Sequence, residues 1–274
     1  MSFFGALIDF FDLSMPTPTM YGWFHILFWI LSVGTGVLLC ALHKNAGPDR
    51  VRRVVFITAI IVMVLEVYKF INFSFTHDEG KINFDFYWSS FPWQFCSMPM
   101  FVGFLAGIFK RGRVHDSLCA FLATYAVFAG AAVMVYPDSV FISTIGINIQ
   151  TMVCHGSMIS IGIYLYGSGY VKAEHKTILK ALPVFAAALL GAIILNEIGY
   201  VSGLCEDYFF NMFYISPHED PHLPVYSLVQ QVVPYPFCLF IYIAGFTLAA
   251  YLMLLIAMGI KALAARINRK AVKN

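Results

Sequence analysis

The chain has 274 residues, of which 60% are hydrophobic and only 12% charged, with a formal net charge of +2. An ordinary soluble domain carries roughly 25% charged residues, so a water-soluble fold of this size is excluded and the bilayer must serve as part of the solvent. No basic run has the density of a phosphate-binding arm, which excludes nucleic acid as a partner.

The segment Met1 to Ser14 lacks a basic n-region and carries Asp9 and Asp12, so it does not read as a signal peptide. Phe3, Phe4, Leu7, Ile8, Phe10 and Phe11 give it an apolar face. Residues 1–20 are therefore expected to form a short segment lying in the membrane interface, with a disordered tail as the alternative.

A spanning helix needs roughly 20 mostly apolar residues. Seven stretches qualify, at 21–42, 53–74, 92–109, 117–136, 145–166, 178–200 and 235–259. The expected fold class is all-α: a polytopic helical bundle with about seven transmembrane helices over residues 21–260. A basic tail, 261–274, follows.

Lys44, Arg50, Arg52 and Arg53 follow the first span; Lys110, Arg111 and Arg113 follow the third. Lys172, Lys176 and Lys180 follow the fifth, and five further cations lie in the tail. All fall on one side if the spans alternate. The positive-inside rule then puts the N-terminus outside and the C-terminus in the cytoplasm of a multi-pass cell-membrane protein. Asp9, Asp12, Asp78, Glu79, Asp85, Asp138, Glu206, Asp207, Glu219 and Asp220 fall on the opposite side, and Trp23, Trp88 and Trp93 fall at its boundary.

Ionisable groups within spans are expensive and mark functional candidates. Glu66 and Lys69 lie three apart in the second span, hence on one helix face. They form either a structural ion pair or the charged wall of a cavity. His155 lies in the fifth span, roughly 15 Å below its outer end. Glu197, with Asn196, is near the outer end of the sixth.

Cys96 lies in Phe91-Pro92-Trp93-Gln94-Phe95-Cys96-Ser97, roughly 8 Å below the start of the third span. Pro99 has no N–H for the carbonyl of Phe95, so a kink beside the thiol is expected. An isolated membrane cysteine is more often structural. As a nucleophile it would need a base, and His155 could accept its proton.

The six cysteines form no CxxC pair. Cys205 and Cys238 fall near the same face, which leaves a disulfide between them open. His218, Glu219, Asp220 and His222 have the residue types of a metal site. Pro217, Pro221 and Pro224 argue against a helix there, so the cluster reads as a solvated loop. No metal and no cofactor is expected.

These residues resemble the YwaF-like bacterial membrane proteins related to eukaryotic transmembrane protein 164. The family pattern has Pro-x-Gln/His-x-Cys-Ser opening a helix, which Pro92-Trp93-Gln94-Phe95-Cys96-Ser97 matches. Its Glu with Lys three later is matched by Glu66 and Lys69, and its His about sixty residues after the Cys by His155. Its Asn-Tyr-Met-Phe-like element is approximated by Asn211-Met212-Phe213-Tyr214, although the stretch from Asn196 to Asn211 is longer than the family's.

The resemblance implies cysteine-dependent acyl transfer, or hydrolysis, on membrane phospholipids at an outer-leaflet site. Cys96 would hold the acyl group and His155 would act as general base. Gln94 or Asn211 would donate to the oxyanion, and Glu66 and Lys69 would position a headgroup. The expected partners are phospholipid acyl chains and headgroups.

Two alternatives stand beside it. A proton-coupled small-molecule transporter would use Glu66, Lys69 and Glu197 as its polar path, although an odd span count and no visible repeat count against it. A membrane receptor or structural protein is the other. A retinal receptor is disfavoured because Pro234 to Ile260 contains no lysine.

Overall fold

The computed structural model describes residues 2–43, 47–203, 205, 208–219 and 223–273. Lys44 of the basic pattern, Glu206 and Asp207 of the acidic one, and Asp220 and His222 of the loop cluster lie outside these residues.

A short helix, α1 (Phe3–Phe11), opens the chain, with the Ser2 hydroxyl accepting from the Gly5 N–H as its cap. Three contacts fix it in place. Tyr68 and Asn72 both donate to the Phe11 carbonyl, and His77 meets the Asp9 carboxylate at 2.9 Å.

Next come α2 (Trp23–Leu42) and α3 (Pro48–Ser74). Gly47 and Pro48 start α3, where the missing proline N–H costs no helical bond. The segment that follows is not a plain loop. β1 (Phe75–Asp78) and β2 (Lys81–Phe84) pair antiparallel as a hairpin.

The third expected span differs from the structure. Its helix, α4 (Met98–Ile108), has 11 residues and begins six residues later than expected. Pro99 falls in its first turn, where proline is tolerated, so the chain starts the helix there instead of kinking one already formed.

The fourth span is two consecutive pieces, α5 (Arg113–Ala123) and α6 (Tyr125–Val135). Thr124 breaks them: its backbone leaves the helical region (φ −126°, ψ −78°), and its hydroxyl donates back to the Ala120 carbonyl at 2.7 Å.

α7 (Ile145–Gly167), α8 (Lys176–Ser202), the short α9 (Pro224–Gln230) and α10 (Tyr235–Lys273) complete the bundle. Gly203, at φ 65°, ends α8 in the left-handed conformation that glycine adopts without strain. The basic stretch after residue 260 continues α10 as helix.

Among the described residues, five helical segments are long and apolar enough to cross a membrane: α2, α3, the α5–α6 pair, α8 and α10 through Ile267. The protein is an all-α helical membrane bundle with one small two-stranded sheet. α7 is long enough but more polar, because it is the central helix. It packs on α2, α3, α5 and α6, and buries Asn148, Gln150, Thr151, His155 and Ser160.

Small residues let α7 lie close to α2. A Cβ on Gly36 would stand 3.0 Å from the Ser160 carbonyl oxygen, and the Ser160 hydroxyl donates to the Ser32 carbonyl at 2.6 Å. All six cysteines are free thiols, so the disulfide left open between Cys205 and Cys238 does not form.

Candidate functional site

Cys96 lies in the turn that leads into α4. The Ser97 and Met98 N–H groups donate to the Gln94 carbonyl at 2.9 and 3.3 Å, which closes the turn. Ser97 is the helix N-cap, so the half-buried thiol of Cys96 sits at the positive end of the α4 dipole. It does not lie below a helix end, as the span limits had suggested.

α3 supplies the charges around it. Glu66 and Lys69 form the expected ion pair, and both lie within electrostatic reach of Cys96. α7 closes the network from the other side. Gln150 donates from Nε2 to Glu66 Oε2 at 3.1 Å and to the Cys154 sulfur at 3.4 Å, and its Oε1 accepts from the Thr151 hydroxyl at 3.2 Å.

His155 follows Cys154. Its Nδ1 lies 2.7 Å from the Thr151 carbonyl oxygen. A carbonyl can only accept, so Nδ1 carries a proton, and when the ring is neutral Nε2 is a lone pair. That Nε2 is buried with no hydrogen-bond partner. No hydrogen bond joins His155 to Cys96 among the described residues. What they share is Lys69, which acts electrostatically on both.

The fourth wall is the segment Asn211–Tyr214. Phe213 and Tyr214 both have positive φ, 59° and 57°, an uncommon and costly conformation for aromatic residues. Four neighbours hold it. Gln94 donates from Nε2 to the Asn211 carbonyl and accepts on Oε1 from the Phe213 N–H, both at 3.0 Å. Asn196 accepts from the Met212 N–H at 2.7 Å and donates to its carbonyl at 3.0 Å. Tyr242 donates to the Phe213 carbonyl at 3.0 Å, and Phe95 meets the Phe213 ring edge-on.

Gln94 is thus committed at both ends of its amide. Asn211 is not. Its Oδ1 accepts from the Ser216 N–H at 2.8 Å, but its buried Nδ2 has no partner. Tyr214, three residues on, lies within electrostatic reach of Cys96.

A mainly apolar cavity of about 250 Å³ opens beside the ion pair. Glu66, Val67, Phe70, Pro92, Met100 and Phe101 line it. Glu66 and Ser90 are the polar residues of its lining, and the rest of its walls are aliphatic and aromatic.

Glu197 is not part of this cluster. It pairs with His218 at 3.1 Å, and the His218 ring stacks on Tyr200 with centroids 3.6 Å apart. No ion pair joins it to Glu66 or Lys69 among the described residues. Nor do three His, Cys, Asp or Glu residues gather as metal ligands among the described residues.

Sequence reasoning missed Gln150, Cys154 and the role of Asn196. The spacing of Gln150 and Cys154, four apart on one helix face, was a readable sign of a polar stripe facing Glu66. The clamp by Asn196 had no sequence signal, because its partner is a backbone.

Residues 20–256 match the TMEM164 family, and the chain belongs to that family. Neither a curated protein nor a solved structure matches it.

Proposed function

We propose that this member of the TMEM164 family performs cysteine-dependent acyl transfer on membrane phospholipids, with Cys96 as nucleophile and His155 as base. One observation carries the reading: the two segments that come within electrostatic reach of Cys96, α7 at Cys154 and 211–214 at Tyr214, each hold a buried polar atom with no hydrogen-bond partner, the lone pair of His155 Nε2 and the amide donor Asn211 Nδ2. A thiol that must lose a proton and a carbonyl oxygen that must gain charge need those two groups.

His155 Nε2 takes the proton of the Cys96 thiol. The thiolate attacks the ester carbonyl of a phospholipid, and Asn211 donates to the developing oxyanion. The C–O bond breaks, the glycerol oxygen takes the proton back from His155, and a thioester remains on Cys96. An acceptor hydroxyl, from a second lipid or from water, then gives its proton to His155 and attacks the thioester. The thiolate leaves and recovers the proton.

Closing on substrate is part of this scheme, since acyl-transfer groups often tighten only in the Michaelis complex. The apolar cavity beside Glu66 suits an acyl chain, and the Glu66–Lys69 pair suits the charges of a headgroup.

Incubation of purified protein with a short-chain phospholipid, followed by intact-mass analysis, tests the scheme. A mass increase of one acyl group that is lost in Cys96→Ala and slowed in His155→Gln supports it. An adduct retained in Cys96→Ala, or none in the wild type under turnover conditions, ends it.

The second reading, a proton-coupled transporter, is favoured only by the buried Glu66 carboxylate. It requires substrate flux that survives Cys96→Ala and fails in Glu66→Gln.

A further inference from the structure

The basic-loop end of the bundle holds a second cavity, this one polar, which the acyl-transfer scheme does not use. It measures about 270 Å³ and lies where the N-termini of α5 and α8 pack together. Arg111, Lys172 and Lys180 line it, against Asp116 and Glu174. Along α8, Lys180 and the clamp residue Asn196 are separated by roughly 24 Å, so this is not an extension of the first site.

We propose that this cavity binds a phosphate monoester or free phosphate, held by Arg111, Lys172 and Lys180. The balance of charge in the cavity points that way. Among the described residues neither lysine is paired with a carboxylate, and Arg111 Nε is 3.9 Å from Asp116, too far for a tight pair. Arg52, from the start of α3, adds a further cation within electrostatic reach of Tyr170 in the cavity wall. Its own partner is Asp49, at 3.1 Å.

The cations are held over a rigid floor. The Arg111 guanidinium lies over the Tyr170 ring, 4.6 Å from its centroid. The Tyr170 hydroxyl is fixed at 2.7 Å from Nε2 of His115, a residue only 1% exposed. Cys119 in the cavity wall touches the same nitrogen at 3.4 Å. The loop bearing Lys172 is folded inward, because Thr177 donates from its hydroxyl to the Lys172 carbonyl at 2.6 Å.

Both helix starts add to this field. Neither Gly112, at the head of α5, nor His175, at the head of α8, supplies a side-chain cap, and at α8 the Thr177 N–H is already taken by the Glu174 carbonyl at 2.9 Å, so the helix starts add their dipoles more than a full set of donors. A carboxylate would use part of this set. A phosphate, with three terminal oxygens, can use a guanidinium edge and two ammonium groups together.

Thermal unfolding of the detergent-solubilised full chain tests the site with three probes: inorganic phosphate, short-chain phosphatidate and short-chain phosphatidylcholine. A rise in Tm with phosphatidate alone identifies a lipid headgroup, and a rise with both phosphate and phosphatidate identifies the free anion. In either case Lys172→Gln with Lys180→Gln, two exposed positions, lowers the apparent affinity at least tenfold. Arg111→Lys, which keeps the charge but loses the two-pronged donor, also weakens it. The proposal is overturned by no shift with either phosphate probe, by an equal shift with phosphatidylcholine, or by unchanged affinity in the double variant. None of these outcomes depends on Cys96, so the acyl-transfer reading stands or falls apart from them.

Discussion

Asn196 grips Met212 at both of its backbone polar groups, accepting from the N–H at 2.7 Å and donating to the carbonyl at 3.0 Å. Met212 is fully buried, so water cannot replace either bond. The neighbouring Phe213 and Tyr214 are held in left-handed backbone that they would otherwise leave. Asn196 therefore stabilises a conformation as well as a contact.

Asn196→Ala leaves the buried Met212 N–H unpaired and its carbonyl with only the long bond from the Ile215 N–H at 3.5 Å. It is expected to destabilise the protein by about 1–3 kcal/mol, the cost of one unsatisfied buried group. Thermal unfolding in detergent checks this. Asn196→Asp keeps the acceptor but sets a buried carboxylate oxygen against the Met212 carbonyl, so it should be at least as destabilising as the alanine variant.

The Glu66–Lys69 pair gives a second prediction. Both groups are largely buried, so removing one partner strands the other. Lys69→Met should cost about 3–5 kcal/mol, and the double change Glu66→Gln with Lys69→Met should recover most of that. A double-mutant cycle of unfolding midpoints measures the difference.

Close approach of α6 to α7 gives a third. A Cβ on Gly130 would stand 2.5 Å from the His155 carbonyl oxygen and 2.8 Å from Met158 Cβ. Gly130→Ala must push α7 away and should cost about 1–3 kcal/mol as overpacking. Gly34→Ala on α2 meets nothing within 4 Å and should be neutral or slightly stabilising. Comparing the two melting temperatures separates packing from helix propensity.

Gln94 gives a fourth, and it bears on function. Gln94→Glu keeps an acceptor for the Phe213 N–H but sets a second oxygen against the Asn211 carbonyl. The segment carrying Asn211 should shift, and acylation of Cys96 should slow about tenfold, equivalent to about 1.4 kcal/mol in the barrier. Mass analysis of the acyl adduct over time measures it. A wild-type rate in a folded Gln94→Glu protein would separate the Asn211 loop from the chemistry.

The sequence by itself determined the class of fold and most helix positions, because bilayer-length runs of apolar residues leave the backbone little choice but helix. It also marked Glu66, Lys69 and His155, since charge and imidazole inside such runs are costly enough to stand out. Only the tertiary structure decided where α4 begins, because a proline reads equally as a kink or as a first turn. The Thr124 break and the polarity of α7 were likewise set by neighbours: α7 tolerates Gln150 and His155 because other helices, not lipid, surround it. The pairing of Gln94 and Asn196 with the 211–214 backbone was invisible in the chain. A main-chain carbonyl or N–H has the same chemistry at every position, and only the fold decides which ones a side chain can reach.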